Sequence, residues 1–119
     1  MQDDTPWLNE GKDYTRLFKT GDCVDVQLCT DASLTGDAKR RNPGAADVRV
    51  VLGALGGKPA AVLMRPVEPS AGKKAAVDYT SPVAPKHFDR VEVLTEAVVR
   101  VSKTGSGYLV EASLPLAAL

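Results

Sequence analysis

Two thiols, one imidazole and a scatter of carboxylates are the groups in this chain that could do chemistry. The thiols are Cys23 and Cys29. Both fall on one predicted strand, so six steps of roughly 3.3 Å put their Cα atoms about 20 Å apart. A disulfide needs less than about 7 Å, and no second pair completes a zinc site, so two free thiols are expected. The single imidazole, His87, stands two residues before Asp89. A Ser–His–Asp set can be written on paper with one of the serines, but no Gly-x-Ser-x-Gly elbow accompanies it. Asp22, Asp25, Asp31, Asp37 and Asp47 are the carboxylates nearest a calcium pattern. They lack the Asp-x-Asp-x-Asp-Gly loop and its bidentate Glu. The run Gly53-Ala54-Leu55-Gly56-Gly57 has no helix or Lys-Ser/Thr behind it, so it is no phosphate cradle. The sequence therefore predicts no catalysis and no metal. What remains is binding chemistry. Asp25 and Gln27 share one strand face about 7 Å apart, where they could hold hydroxyls or lie solvated. Arg49 and Arg65 are the cations that could instead pair with Asp25.

Strands must position these groups. Residues 23–29 alternate, with Val24, Val26 and Leu28 on one face and Cys23, Asp25, Gln27 and Cys29 on the other. Residues 48–55 and 59–67 are more continuously apolar, as expected of central strands covered on both faces. Gly56-Gly57 between them predicts a hairpin. Residues 91–94 and 98–102 read as one bent strand or two short ones, and 77–80 as a further short one. After the turn Thr104-Gly105-Ser106-Gly107, residues 108–114 alternate again until Pro115 ends the ladder. One short helix over 13–20 is expected, with Asp13 as its cap and Gly21 as its stop. The Gly-, Pro- and charge-rich stretch 30–47 reads as a long exposed loop, in which Lys39-Arg40-Arg41 is a solvated charge run. Residues 68–75 and the segment Pro85-Lys86-His87-Phe88 also read as loops.

The 119 residues suit one domain. Fifteen basic residues balance fifteen acidic ones, which argues against a footprint for nucleic acid or an anionic membrane. No apolar run approaches the roughly 20 residues of a membrane-spanning helix. The acidic, polar start Met1-Gln2-Asp3-Asp4-Thr5-Pro6 does not read as a signal peptide, so the expectation is either a cytoplasmic protein or a piece of a longer exported one.

Three segments carry a family resemblance: Leu17-Phe18-Lys19-Thr20-Gly21-Asp22-Cys23-Val24-Asp25-Val26-Gln27-Leu28, Ala61-Val62-Leu63-Met64-Arg65-Pro66-Val67, and Gly107-Tyr108-Leu109-Val110-Glu111-Ala112-Ser113-Leu114-Pro115-Leu116. Together they resemble family-9 carbohydrate-binding modules and the related DOMON-like domains. Those have a Gly-Asp-x-Val-Asp/Glu strand after a loop and a Gly-Tyr-x-Val-Glu-Ala-x-Leu/Ile-Pro strand near the end. The resemblance implies an all-β fold, an antiparallel immunoglobulin-like (jelly-roll-like) β-sandwich with one short helix. It also implies an incomplete sandwich, because the segment Asp3-Asp4-Thr5-Pro6 follows the first strands in that family. The expected function is that of an accessory carbohydrate-binding module in a larger exported protein, with other domains of the parent chain as partners. Such a protein would act in an extracellular or periplasmic setting. Sugar modules hold pyranose rings on aromatic faces and fix hydroxyls with carboxylates, amides and guanidinium groups. The resemblance therefore points to Trp7, Asp25, Gln27, Arg49 and Arg65 as ligand-binding residues. Aromatic residues are sparse, at 5%, so Trp7 can equally be a pin that holds its loop to the sandwich. Two further readings stand beside this one. One is a structural or protein-interaction sandwich with no sugar site. The other is a DOMON-like haem domain using Met64 and His87, although a methionine in an apolar strand is ordinarily core.

Overall fold

The computed structural model describes residues 6–34 and 42–119. Asp3-Asp4-Thr5, Asp37 and the charge run Lys39-Arg40-Arg41 lie outside the described residues. Among the described residues eight strands form: β1 (Val24–Cys29), β2 (Asp47–Leu55), β3 (Lys58–Arg65), β4 (Val77–Tyr79), β5 (Lys86–Phe88), β6 (Arg90–Val93), β7 (Val98–Thr104) and β8 (Gly107–Ser113). All pairings are antiparallel. The central sheet has the order β1-β2-β3-β6, and two separate ribbons, β4-β5 and β7-β8, accompany it. The result is a sandwich-like all-β fold, with short 3₁₀ turns as its helical segments among the described residues.

The central hairpin follows from its turn. Gly56 and Gly57 adopt φ of 58° and 80°, the left-handed pair that a two-residue turn matched to strand twist requires. Val50 then faces Leu63, and Val51 faces Val62. Successive side chains point to opposite faces, so a strand apolar at every position must be covered twice. That is what happens here. On one face Leu17, Val51, Val62, Met64, Tyr79, Phe88 and Val91 form a core beneath the β4-β5 ribbon and the 3₁₀ turn Tyr14–Lys19. On the other, Val48, Val50, Leu52, Ala61, Leu63 and Leu94 form a second core. The ribbon β7-β8 closes it with Val99, Val110 and Leu114.

Of the two readings of 91–94 and 98–102, one bent strand or two short ones, the second holds: β6 lies in the central sheet and β7 in the covering ribbon. Leu94 marks the change: its N–H donates to Ala61 O, and its side chain fills the second core. One sequence reading is corrected. The segment around Pro85-Lys86-His87-Phe88 is a strand, β5, paired with β4 in the register Val77 to Phe88 and Tyr79 to Lys86. Phe88 is its anchor, 7% exposed within the first core.

The chain before β1 is a strap across the first face. Asp13 caps its 3₁₀ turn by accepting from Thr15 N, as the sequence predicts. Asn9 is the buried polar residue at its centre, 5% exposed. Its amide donates to Leu17 O (2.9 Å) and Asp22 O (3.0 Å), and its oxygen accepts from Gly11 N (3.0 Å) and Thr20 Oγ1 (2.7 Å). Gly21 crosses Leu8 so closely that a Cβ on it would stand 2.2 Å from Leu8 O, at a φ of 148°. Glycine is thus required there by both space and conformation.

Candidate functional site

Register decides which of the sequence candidates meet. Gln27 faces Arg49 and Asp25 faces Val51 across β1 and β2, so all three side chains lie on the first face. Arg49 donates through Nε to both oxygens of Asp25, at 3.0 and 2.9 Å, and through Nη2 to Asp25 Oδ2. Its guanidinium also lies over the Phe18 ring, 4.6 Å from the centroid. This fork-and-stack arrangement fixes the guanidinium plane.

Arg65 is not part of this group. Met64, not Arg65, stands across from Arg49, and one residue of offset moves a side chain to the other face. There Arg65 donates to the carbonyls of Ala118 (2.9 Å) and Leu119 (2.7 Å) and pairs with Glu68 at 3.1 Å. Trp7 lies apart as well. Its ring meets Tyr108 edge-on at a centroid distance of 4.8 Å. Together with Ala54, Pro59 and Lys103 they line a cleft of about 300 Å³ near the Gly56-Gly57 turn. Arg49 and Ala54 are five residues apart on β2, which places this cleft about 17 Å along the strand from Arg49.

Two adjoining hollows run along the first face beside β1 and β2. The larger, about 540 Å³, is lined by Gln27, Cys29, Asp47, Arg49, Lys86, His87 and Phe88 among others. The smaller, about 370 Å³, is lined by Phe18, Lys19, Arg49, Tyr79 and Lys86, with Phe88 shared. Arg49, Lys86 and Phe88 belong to both, so the two read as one groove. Its floor is aromatic and firmly held. Tyr79 is 7% exposed, packs edge-on against Phe18 and Phe88, and donates its hydroxyl to Thr15 O at 2.6 Å. Its walls are polar. Reading the sequence missed Lys86, because β5 is short, follows Pro82 and Pro85 and offers one large apolar residue.

The other reactive groups are occupied. Asp22 accepts from Leu8 N, Asp31 from Ser33, and Asp47 from Gly44 N. Among the described residues no cluster of three or more His, Cys, Asp or Glu side chains could share a metal. Cys23 and Cys29 are free thiols. Burial, then the charge of Asp25, pushes the Cys23 thiol up, away from the reactive thiolate. Met64 is 1% exposed in the first core, whereas His87 is at the surface. A haem could not reach both without opening that core.

His87 is gripped from two sides. Its Nδ1 is 2.6 Å from Asp78 Oδ1 and its Nε2 is 3.0 Å from Asp89 Oδ1. Asp89 in turn accepts from Glu68 N at 2.7 Å. With a carboxylate at each ring nitrogen, neither nitrogen faces a serine as a general base would. Both nitrogens are suited to donate, and the bonds to Asp78 and then Asp89 raise the imidazole pKa. A raised folded-state value means this clamp stabilises the fold fully below the ordinary imidazole pKa of about 6.5. The contribution is lost as pH rises through the higher folded value. In an NMR titration the one histidine should therefore show a midpoint above about 6.5 in the folded chain. Asp78→Asn should lower that midpoint. An unmoved midpoint would refute the clamp.

Comparison of the chain with protein families, curated proteins and solved structures finds no match. The groove must be read from its own chemistry.

Proposed function

We propose that this protein is a non-catalytic binding module whose groove along β1, β2 and β5 takes a carbohydrate. The observation that supports this most is the meeting of Gln27 with the Asp25–Arg49 pair above a floor of Phe18, Tyr79 and Phe88. An amide and a guanidinium on rigid strands can exchange hydrogen bonds with ring hydroxyls. The aromatic floor gives the apolar face of a sugar something to lie on. At about 540 Å³ the larger hollow falls within the usual range of small-ligand sites. Trp7 and Arg65 are left out of this site, since one lies at the far end of the sheet and the other on its opposite face. The family resemblance described above points to the same class of ligand.

A second reading has its own support. The Asp25–Arg49 pair is closed on itself and stacked on Phe18, as in a sandwich that only packs against a protein partner.

NMR titration of the chain with neutral and acidic oligosaccharides separates the two. Binding in the groove shifts the amides of Gln27, Arg49 and Lys86. Gln27→Ala then weakens it about fivefold, the worth of one net hydrogen bond of about 1 kcal/mol. Shifts confined to the Trp7–Tyr108 cleft, or none with any sugar, would defeat the carbohydrate reading and leave the interaction domain.

A further inference from the structure

Charge in the groove is unevenly matched. Arg49 uses Nε and Nη2 on Asp25, which leaves Nη1 and its two N–H groups without a bond among the described residues. Asp47, the other groove carboxylate, accepts from Gly44 N at the mouth. His87 is matched by Asp78 and Asp89. Lys86 forms no ion pair among the described residues. Lys19 stands over aromatic rings, 5.6 Å from the Phe18 centroid and 5.8 Å from that of Tyr79. Arg49 through Nη1 and Lys86 through Nζ thus keep the capacity to take an anion, in a groove whose carboxylates Asp25 and Asp47 already accept hydrogen bonds. These two donors line the groove together with Phe88, whose apolar ring lowers the local dielectric and strengthens a charge pair formed beside it.

We propose that the groove selects an acidic saccharide, a uronate, whose carboxylate docks between Arg49 Nη1 and Lys86 Nζ. This rests on the carbohydrate reading above and adds the ligand's charge. Arg49 is pre-set for the task, because Asp25 and Phe18 fix its plane before any ligand arrives, so little side-chain freedom is lost on binding. Lys86 supplies a mobile point charge on the opposite wall, at the junction of the two hollows. Gln27 remains free for a hydroxyl of the same ring.

The test uses the full chain, in calorimetric titration with di- and trisaccharides of galacturonic, glucuronic and mannuronic acid. Each is run beside its methyl ester, which keeps the skeleton and removes the charge. At least one acid should bind about tenfold tighter than its ester, as expected for a charge-assisted pair at a partly open site. That advantage should shrink as salt rises from about 50 to 300 mM, while ester binding stays level. Lys86→Gln, at an exposed position of β5, should bring the acid-to-ester ratio close to one. Esters binding as tightly as acids, or a Lys86→Gln variant that keeps the preference, overturn the uronate assignment and leave the carbohydrate reading standing. Binding of neither acids nor esters removes both.

Discussion

Asn9→Ala is expected to lower stability by about 3–4 kcal/mol, from four lost hydrogen bonds at about 1 kcal/mol each. The residue is small, polar and close to the start of the chain, where a substitution would ordinarily cost little. Its position reverses that expectation. The side chain holds Gly11, Leu17, Thr20 and Asp22 together while 5% exposed. Gly53 lies directly beneath, where a Cβ would come within 3.3 Å of Asn9 Nδ2. Alanine would strip Gly11 N and the Asp22 carbonyl of their Asn9 partner in the interior and leave the Leu17 carbonyl with Thr20 alone. A domain of this size holds a net stability of about 5–15 kcal/mol, so this is a large share of the whole. The melting temperature should fall by about 12–16 °C, at roughly 4 °C per kcal/mol for a domain of this size. Leu8→Ala next to it, at a position 58% exposed, should change stability by no more than about 0.5 kcal/mol. If urea denaturation places Asn9→Ala within about 1 kcal/mol of the parent, the strap is not the structural element described here.

Leu63→Ala should be equally damaging for a different reason. Leu63 is fully buried, pairs with Val50 on β2 and Glu92 on β6, and fills the second core under the β7-β8 ribbon. A leucine truncated at such a site loses its transfer free energy and leaves a cavity, together about 3–4 kcal/mol where rigid sheets prevent collapse. Leu109→Ala, on the exposed side of β8 at 51% exposure, is the matched control and should lose less than about 1 kcal/mol. Equal losses at the two positions in chemical denaturation would mean that the ribbon does not seal the sheet as described.

These two residues also mark what could be read in advance. Leu63 was legible, because a run of apolar residues beside a Gly-Gly turn has few solutions other than a doubly covered hairpin strand. The alternation of 23–29 likewise gave the common face of Asp25 and Gln27. Even the separation of Arg49 from Arg65 was implicit, since a two-residue turn at Gly56-Gly57 puts Met64 across from Arg49. Asn9 was not legible. It has no period and no motif, and its partners become neighbours only once the chain folds back between Leu8 and Gly21. Strand β5 was hidden by its length, since three residues carry almost no periodic signal. With β5 went Lys86 and the far wall of the groove.

The Gly56-Gly57 turn also bears on the order of events during folding. It joins β2 and β3 with the shortest loop a hairpin allows, and both strands lie at the middle of the sheet. Their contacts close little chain entropy, whereas the contact of Arg65 with Ala118 and Leu119 spans more than fifty residues. The hairpin is thus the natural nucleus, and the strap and the chain end dock late. Lesions in the two regions would then separate in time: Leu63→Ala retards refolding, and Asn9→Ala hastens unfolding.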